Sequence, residues 1–479
     1  MVNIKIYLLN PPFIQGFSRG VRGVGESTRG GTLYIPIWLS YATGVLDQSN
    51  ETRLIDAQAL SWGIDDVLQD ISNFNPNIIV IDTNFSSLNN DIDIANLLKK
   101  QSGAITIMVG PPTSQFPNKI LESGIDIVAR NEYDLTLNEV VNNITKDLNE
   151  IKGISYKKND NIIHNPNRDL TSSEDLDDIP FVSDVYNRYL NISDYFLSSS
   201  FHPTVQIFTG RGCPNQCTFC SWPKTLMGRK YRVRSIDNVL NEFEYIIDHM
   251  PAIKEIFIED DTFTIDKNRV LEFCKKYEER RLNIVWSCNA RATLDYETMK
   301  EMKKANCRLL ISGFESGSDE ILNNIKKGIT VDQIIKFAEN ANKVGLLIHG
   351  DFIIGLPGET EETIAMTKKL IRMIKPDILQ VLIPQPIPGT EFYDWCKMHN
   401  YLITDNPVNY LDECGYQKSI ISYPKLTNED ISNEVSKILK RYYLSPHYVP
   451  LALKQVLRKN GFYELKRLVK STYMFLKYV

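Results

Sequence analysis

Short apolar runs alternate with amphipathic stretches along the first 145 residues. The runs at 5–9, 52–55, 77–81, 105–109 and 125–128 are rich in Ile and Val, and turn residues punctuate them, which predicts β-strands. Between them, 64–72, 91–100 and 117–123 read as helices. Strand–helix alternation at this spacing predicts a doubly wound, Rossmann-like parallel sheet. Ligands of such sheets bind outside the carboxyl ends of the strands. Those ends carry Asn10-Pro11-Pro12, Asp82-Thr83-Asn84 and Gly110-Pro111-Pro112-Thr113. These residues let a ligand approach the backbone closely, and they equally make ordinary turns.

Residues 146–200 read as a connector with one hairpin near Ile154-Ser155-Tyr156 and Ile162-Ile163-His164, followed by an acidic stretch. From Thr204 the alternation resumes. Strands are predicted at 204–209, 255–259, 283–288, 308–312, 346–354 and 378–383, and helices at 236–249, 267–281, 295–305, 331–344 and 360–374. Six such repeats are too few for a complete eight-fold barrel, so the pattern predicts a partial (β/α)6 barrel over 201–395. Residues 396–479 are expected to form a helical C-terminal region. From Arg441 onward it holds eight Lys or Arg against one acid, Glu464, with Leu, Val, Met and Phe interleaved. A basic amphipathic helix of this kind lies on an anionic membrane surface or packs on the barrel with a solvated basic face.

Composition narrows the class. The 479 residues carry 54 Lys and Arg against 59 Asp and Glu, a net charge of −5, with 43 % hydrophobic residues. That excludes a disordered chain and argues against a dedicated nucleic-acid binder. No apolar run reaches the roughly 18 residues of a membrane span, and the N-terminus lacks the features of a signal peptide. Eight Cys are too few for a disulfide scaffold. The expectation is a cytoplasmic, reduced protein whose tail is a candidate for contact with the inner face of the membrane.

Three of those Cys fall in Arg211-Gly212-Cys213-Pro214-Asn215-Gln216-Cys217-Thr218-Phe219-Cys220, directly after the first barrel strand. Barrel active sites lie at the carboxyl ends of the strands. Three close thiolates suit a [4Fe-4S] cluster, which usually takes four, so one iron is left open. Structural zinc would need a fourth ligand nearby, and the nearest His is His202, before the strand.

With these residues the sequence resembles the radical S-adenosylmethionine (SAM) superfamily, whose signature is Cys-x3-Cys-x2-Cys with an aromatic before the last Cys. Cys213, Cys217, Phe219 and Cys220 match it. The resemblance implies that the open iron chelates SAM, whose reductive cleavage gives methionine and a 5′-deoxyadenosyl radical that removes hydrogen from an unactivated carbon. It also implies SAM contacts at strand ends. Asp260 and Asp261 would meet the methionine part, Asn289, Arg291, Glu315 and Ser316 would line the pocket, and Gly355 and Gly358 would face adenine. Tyr231, Arg232, Arg234 and Ser235 resemble a segment beyond the cluster loop.

The first-strand Asn-Pro-Pro, the run Tyr34-Ile35-Pro36-Ile37-Trp38-Leu39, Val109-Gly110-Pro111 and Asp126–Glu132 are similar to the cobalamin-binding radical SAM enzymes. That group includes anaerobic porphyrin cyclases, hopanoid methylases and hopanoid side-chain enzymes, and the resemblance covers about residues 1–400. It implies a cobalamin-binding domain over 1–145, framed by Asn10, Thr83, Asn84, Ser86, Gly110 and Thr113. None of the six His lies in that stretch, and Asp-x-His-x-x-Gly is absent from the sequence, so cobalamin would be held without imidazole. The implied activity is cobalamin-dependent methylation of an unactivated carbon. Radical cyclisation, rearrangement or coupling of a lipid or glycolipid is the enzymatic alternative, and a cobalamin or redox sensor the non-enzymatic one. Implied partners are a small-molecule or lipid substrate and an electron donor such as flavodoxin or ferredoxin.

Overall fold

Strands β1 (Lys5–Asn10), β2 (Glu51–Asp56), β3 (Ile78–Asp82), β4 (Ile105–Val109) and β5 (Ile127–Ala129) form a parallel sheet in the computed structural model, which describes residues 4–20, 24–159 and 161–478. Their order is 2-1-3-4-5, and the hairpin β6 (Ile154–Lys158) and β7 (Asn161–His164) adds two antiparallel strands beyond β5. The hairpin read as part of a connector thus extends the first sheet. Its apolar face, Ile154 and Tyr156, is buried where β5 ends.

Side chains alternate between the two faces of this sheet. Tyr7, Leu9, Ile79, Ile81 and Met108 face an outer core built with helices α2 (Ile64–Phe74) and α3 (Leu88–Ser102). Ile6, Leu8, Val80, Ile107 and Val109 face the opposite way, into a core continuous with that of the barrel. Helix α1 (Ile37–Leu46) lies in that second layer with all ten residues buried. It is apolar all round, so it has no amphipathic period to reveal it. Helices α4 (Asp134–Asn142) and α5 (Val182–Tyr189) pack on it.

Strands β8 (Thr204–Ile207), β9 (Glu255–Ile258), β10 (Val285–Asn289), β11 (Cys307–Glu315), β12 (Leu347–Ile353) and β13 (Ile378–Leu382) pair in sequence order, all parallel. This is the partial six-stranded barrel expected from the pattern. Its connecting helices are α6 (Ile236–His249), α7 (Lys267–Glu279), α8 (Tyr296–Lys304), α9 (Val331–Val344) and α10 (Glu361–Ile374). Ser235, Asp266, Asp295, Thr330 and Thr360 precede them, and each side chain accepts a backbone N–H of the first turn. Those caps satisfy orphan donors and set where each helix begins.

The barrel's last strand is covered rather than left as a bare edge. Tyr443, on α11 (Asn428–Tyr443), donates its hydroxyl to the Leu379 carbonyl and accepts from the Leu379 N–H. Helices α12 (Tyr448–Val456) and α13 (Gly461–Tyr478) complete the helical C-terminal region. Among the described residues, no helix is long and apolar enough to cross a membrane.

Candidate active site

The cysteine loop leaves the carboxyl end of β8 and is closed at its base by a two-residue ladder, Gly210–Arg211 against Arg232–Val233. Gly212 has φ +89°, and a Cβ there would stand 2.2 Å from the Lys230 carbonyl oxygen, so the turn into Cys213 requires glycine. Two buried ion pairs tie this base to the first sheet's side of the molecule. Arg211 meets Asp134 at 2.6 Å and lies over the Trp38 ring, and Arg232 meets Glu132 at 2.8 Å. Arg234 pairs with Glu242 at 2.6 Å. The Arg232-to-Ser235 segment singled out in the sequence is therefore the loop's foundation.

Cys217 is buried, and Cys213 and Cys220 are half-buried; all three are free thiols. Asn215 donates its amide to the Cys213 sulfur at 3.2 Å. The loop is pinned farther out by the Thr218 N–H on the Ile325 carbonyl and by the Phe392 N–H on the Thr218 carbonyl. Burial pushes the Cys217 thiol up, and the charge of Lys327 opposes it. Burial, then the charges of Asp261 and Cys217, push Cys220 up to about 12. Three thiols on one short loop form a donor set of the kind that holds an iron–sulfur cluster.

Part of the expected SAM-contact set gathers round these thiols. Asp261 lies close enough to act on Cys220, and Glu315 and Arg291 act on Cys217. Glu315, at φ +65°, accepts from Lys327 Nζ at 2.6 Å, and Arg291 donates to the Lys327 carbonyl. Lys327 was missed in the sequence because it lies in an irregular segment with no motif around it. Asn289 donates to the Asp260 carbonyl at 2.9 Å.

Not every expected side chain faces the thiols. Asp260 is fully buried beneath the loop and accepts from the Thr209 N–H (2.6 Å), the Thr209 hydroxyl (2.5 Å) and the Gly210 N–H (3.0 Å). Its side chain holds the loop rather than facing it. Ser316 is likewise buried, against Thr367 and the Ser318 N–H. Gly355 and Gly358 are turn glycines at φ +107° and +87° whose absent side chains would strike Ile431 and Asn324. Cys288 and His349 are buried, as core residues should be. Burial lowers the His349 imidazole to about 3, so it is neutral.

A second, narrow cleft opens where the strand order of the first sheet reverses between β1 and β3. Asn10, Thr83, Asn84 and Gly110 line it, as expected from the sequence. Ser86 and Thr113 do not. Ser86 donates to the Gly25 carbonyl, and Thr113 is spent on the Gly110 and Ala129 carbonyls. Gly110, at φ +110°, comes so near Thr83 that a Cβ would stand 2.3 Å from its carbonyl oxygen. The other walls include Tyr34, Trp38, Tyr133, Trp222 and Leu226, with Arg19 and Asp82 as the charged groups. Burial pushes Asp82 up to about 7, against the pull of Arg19. Aromatic walls, amide edges and a lining without histidine are the chemistry expected where a corrin is held without imidazole ligation. Trp222 and Leu226 come directly after Cys220, so the cysteine loop supplies one wall of this cleft.

Comparison with known proteins agrees with this geometry. Residues 207–371 match the radical SAM superfamily, and residues 28–141 match the B12 binding domain. The uncharacterized methyltransferase PH0819 of Pyrococcus horikoshii is 31 % identical over 475 residues, 98 % of either chain. Cytidylyl-2-hydroxyethylphosphonate methyltransferase of Streptomyces wedmorensis is 25 % identical over 84 % of this chain and 85 % of its own. The structure of the radical SAM methyltransferase TsrM from Kitasatospora setae, with cobalamin and a [4Fe-4S] cluster bound, superposes with a TM-score of 0.71 at 14 % identity, over 99 % of either chain. That likeness shows the fold.

Proposed function

We propose, for a chain that belongs to the cobalamin-binding branch of the radical SAM superfamily, that it transfers a methyl group to an unactivated carbon of a small-molecule or lipid substrate. It is an enzyme, and its cofactors are a [4Fe-4S] cluster, SAM and cobalamin. When bound, the cluster supplies the electron that cleaves SAM to a hydrogen-abstracting radical, and cobalamin supplies the methyl group. The observation that carries the reading is the shared wall: one loop presents Cys213, Cys217 and Cys220 and, through Trp222 and Leu226, closes the cleft at the first sheet's switch point.

The chain's own residues have distinct tasks in this reading. The three cysteines hold the cluster. Asp261, Arg291, Glu315 and Lys327 offer both signs of charge beside the thiols, suited to a zwitterionic amino-acid end. Asn10, Thr83, Asn84 and Gly110, with Trp38 and Tyr133, frame the corrin ring. Residues 1–145 and 201–395 are then the two cofactor-binding units, joined by 146–200, with 396–479 closing the barrel. An external electron donor is required, and a flavodoxin or ferredoxin is the proposed class. A place peripheral to the inner membrane face belongs to the same proposal.

The test is anaerobic reconstitution of the full chain with iron, sulfide and cobalamin, followed by desalting and metal analysis. About four irons and one cobalt per chain are expected, with iron falling to background in Cys217→Ala. Iron without cobalt would overturn methyl transfer and leave ring-forming or rearrangement chemistry. Cobalt without iron would overturn the radical reading.

A further inference from the structure

Helix α13 is built inside out. A surface helix normally buries an apolar stripe and turns charge to water. Here the buried face carries Glu464 and Arg467, at 1 % and 3 % exposure, alongside Phe475. Glu464 meets Arg308 at 2.8 Å and Arg467 at 2.9 Å. Arg467 also donates to Gln455 on α12 and to the Ser198 carbonyl. Arg308 stands at the start of β11 and pairs with Glu255 at the start of β9, so a buried ionic network seats the helix on the amino-terminal end of the barrel.

The outward face is apolar. Phe462, Leu465, Val469, Tyr473 and Leu476 recur every three or four residues, and each is 47–64 % exposed. Val449, Leu453 and Leu457 make the same stripe on α12, with Leu457 at 83 %. These two helices and the residue preceding α12's Ser-Pro turn, Leu444, hold nine of the seventeen large apolar side chains exposed among the described residues. Lys454, Lys459, Lys466, Lys470 and Lys477 are exposed beside the stripe. Lys466 and Lys477 lie with their ammonium groups 4.5 Å from the ring centres of Phe462 and Tyr473. The single carboxylate side chain between Arg441 and Val479 is Glu464, and it is buried and paired. Every charged side chain exposed on this surface is therefore positive.

We propose that α12 and α13 form a docking surface for a bilayer containing anionic lipid. The stripe would enter the interface while the flanking lysines reach lipid headgroups, the arrangement by which interfacial helices bind. A second copy of the chain fits less well, because pairing this face with itself sets lysine rows against lysine rows. The packed side of α13 touches the loop that leads to the cleft. A Cβ on Gly31 would touch Met474 of α13, and Leu33 and Tyr34, just beyond it, line the cleft wall. The inference stands on the surface itself and holds whichever reaction the enzyme performs.

The experiment is cosedimentation of the full chain with vesicles of phosphatidylcholine alone and of phosphatidylcholine mixed with phosphatidylglycerol. The comparison protein is Leu457→Glu/Phe462→Glu/Val469→Glu, three exposed positions outside the ionic network. Circular dichroism and a melting curve check that it folds. The wild type should pellet with the anionic vesicles and not the neutral ones, release as salt is raised, and partition about tenfold or more better than the variant. Equal pelleting of the two proteins, equal pelleting with the two vesicles, or none at all would overturn the proposal. So would a lipid-free dimer, seen by light scattering, that the variant abolishes.

Discussion

Asp260 accepts three hydrogen bonds from Thr209 and Gly210, while its neighbour Asp261 faces the thiols. Neighbouring residues at a strand end point opposite ways, so one carboxylate builds the loop and the other faces it. Removing the builder strands two buried backbone N–H groups. Asp260→Ala should therefore cost about 2–4 kcal/mol in chemical denaturation and lower the iron bound on reconstitution. Unchanged stability and iron, with weaker SAM binding alone, would instead return Asp260 to the substrate side. The sequence placed both aspartates at the carboxyl end of the second barrel strand but did not say which one turned inward. The same holds for Thr113 and Ser86. Their hydroxyls suit a ligand as well as a turn, and the choice was made by the carbonyls nearby.

At the scale of elements, the βα turn after β12 shows how burial couples to pH. Glu359 accepts from the Gly355 N–H at 2.6 Å and the Leu356 N–H at 3.2 Å, yet burial raises its carboxyl from 4.5 to about 7. The folded chain then holds a proton between about pH 4.5 and 7 that the unfolded chain has lost. Stability contributed by this group is full below pH 4.5 and is lost as pH rises through 7. Glu359→Gln keeps an acceptor oxygen and removes the titration. Relative to wild type it should gain roughly 1–3 kcal/mol between pH 5 and 8, read from denaturation midpoints at each pH; parallel curves would refute this. The strands, and the helices with a clear 3.6-residue period, were legible to within a few residues. Helix α1 was not, because a segment buried on every side has no polar face to give a period.

Over the whole molecule, the two sheets are joined by buried charge as well as by apolar packing. Arg211–Asp134 and Arg232–Glu132 both cross from the cysteine loop to the first sheet's side, and Tyr41 of α1 stacks on Phe208 at 5.7 Å. Breaking one such pair leaves a charge without water or partner, whereas removing both charges leaves neither. Arg211→Leu should destabilise by about 3–5 kcal/mol, and adding Asp134→Leu should restore most of the loss. Additive losses in the double-mutant cycle would show that the pair is not coupled.

The alternation of strands and helices, and three thiols spaced Cys-x3-Cys-x2-Cys after a strand, were written in the linear order of residues. Both depend on local periodicity and local spacing, so they determined the two-sheet fold and the cluster loop without reference to the rest of the chain. Tertiary structure alone decided what lies across from what. It brought Trp222 and Asn10 into one cleft and set Lys327 beside Cys217. It also turned the charges of α13 inward onto Arg308, which left its apolar stripe outside. Amphipathic spacing tells that a helix has two faces, and only the groups it packs against determine which face is buried.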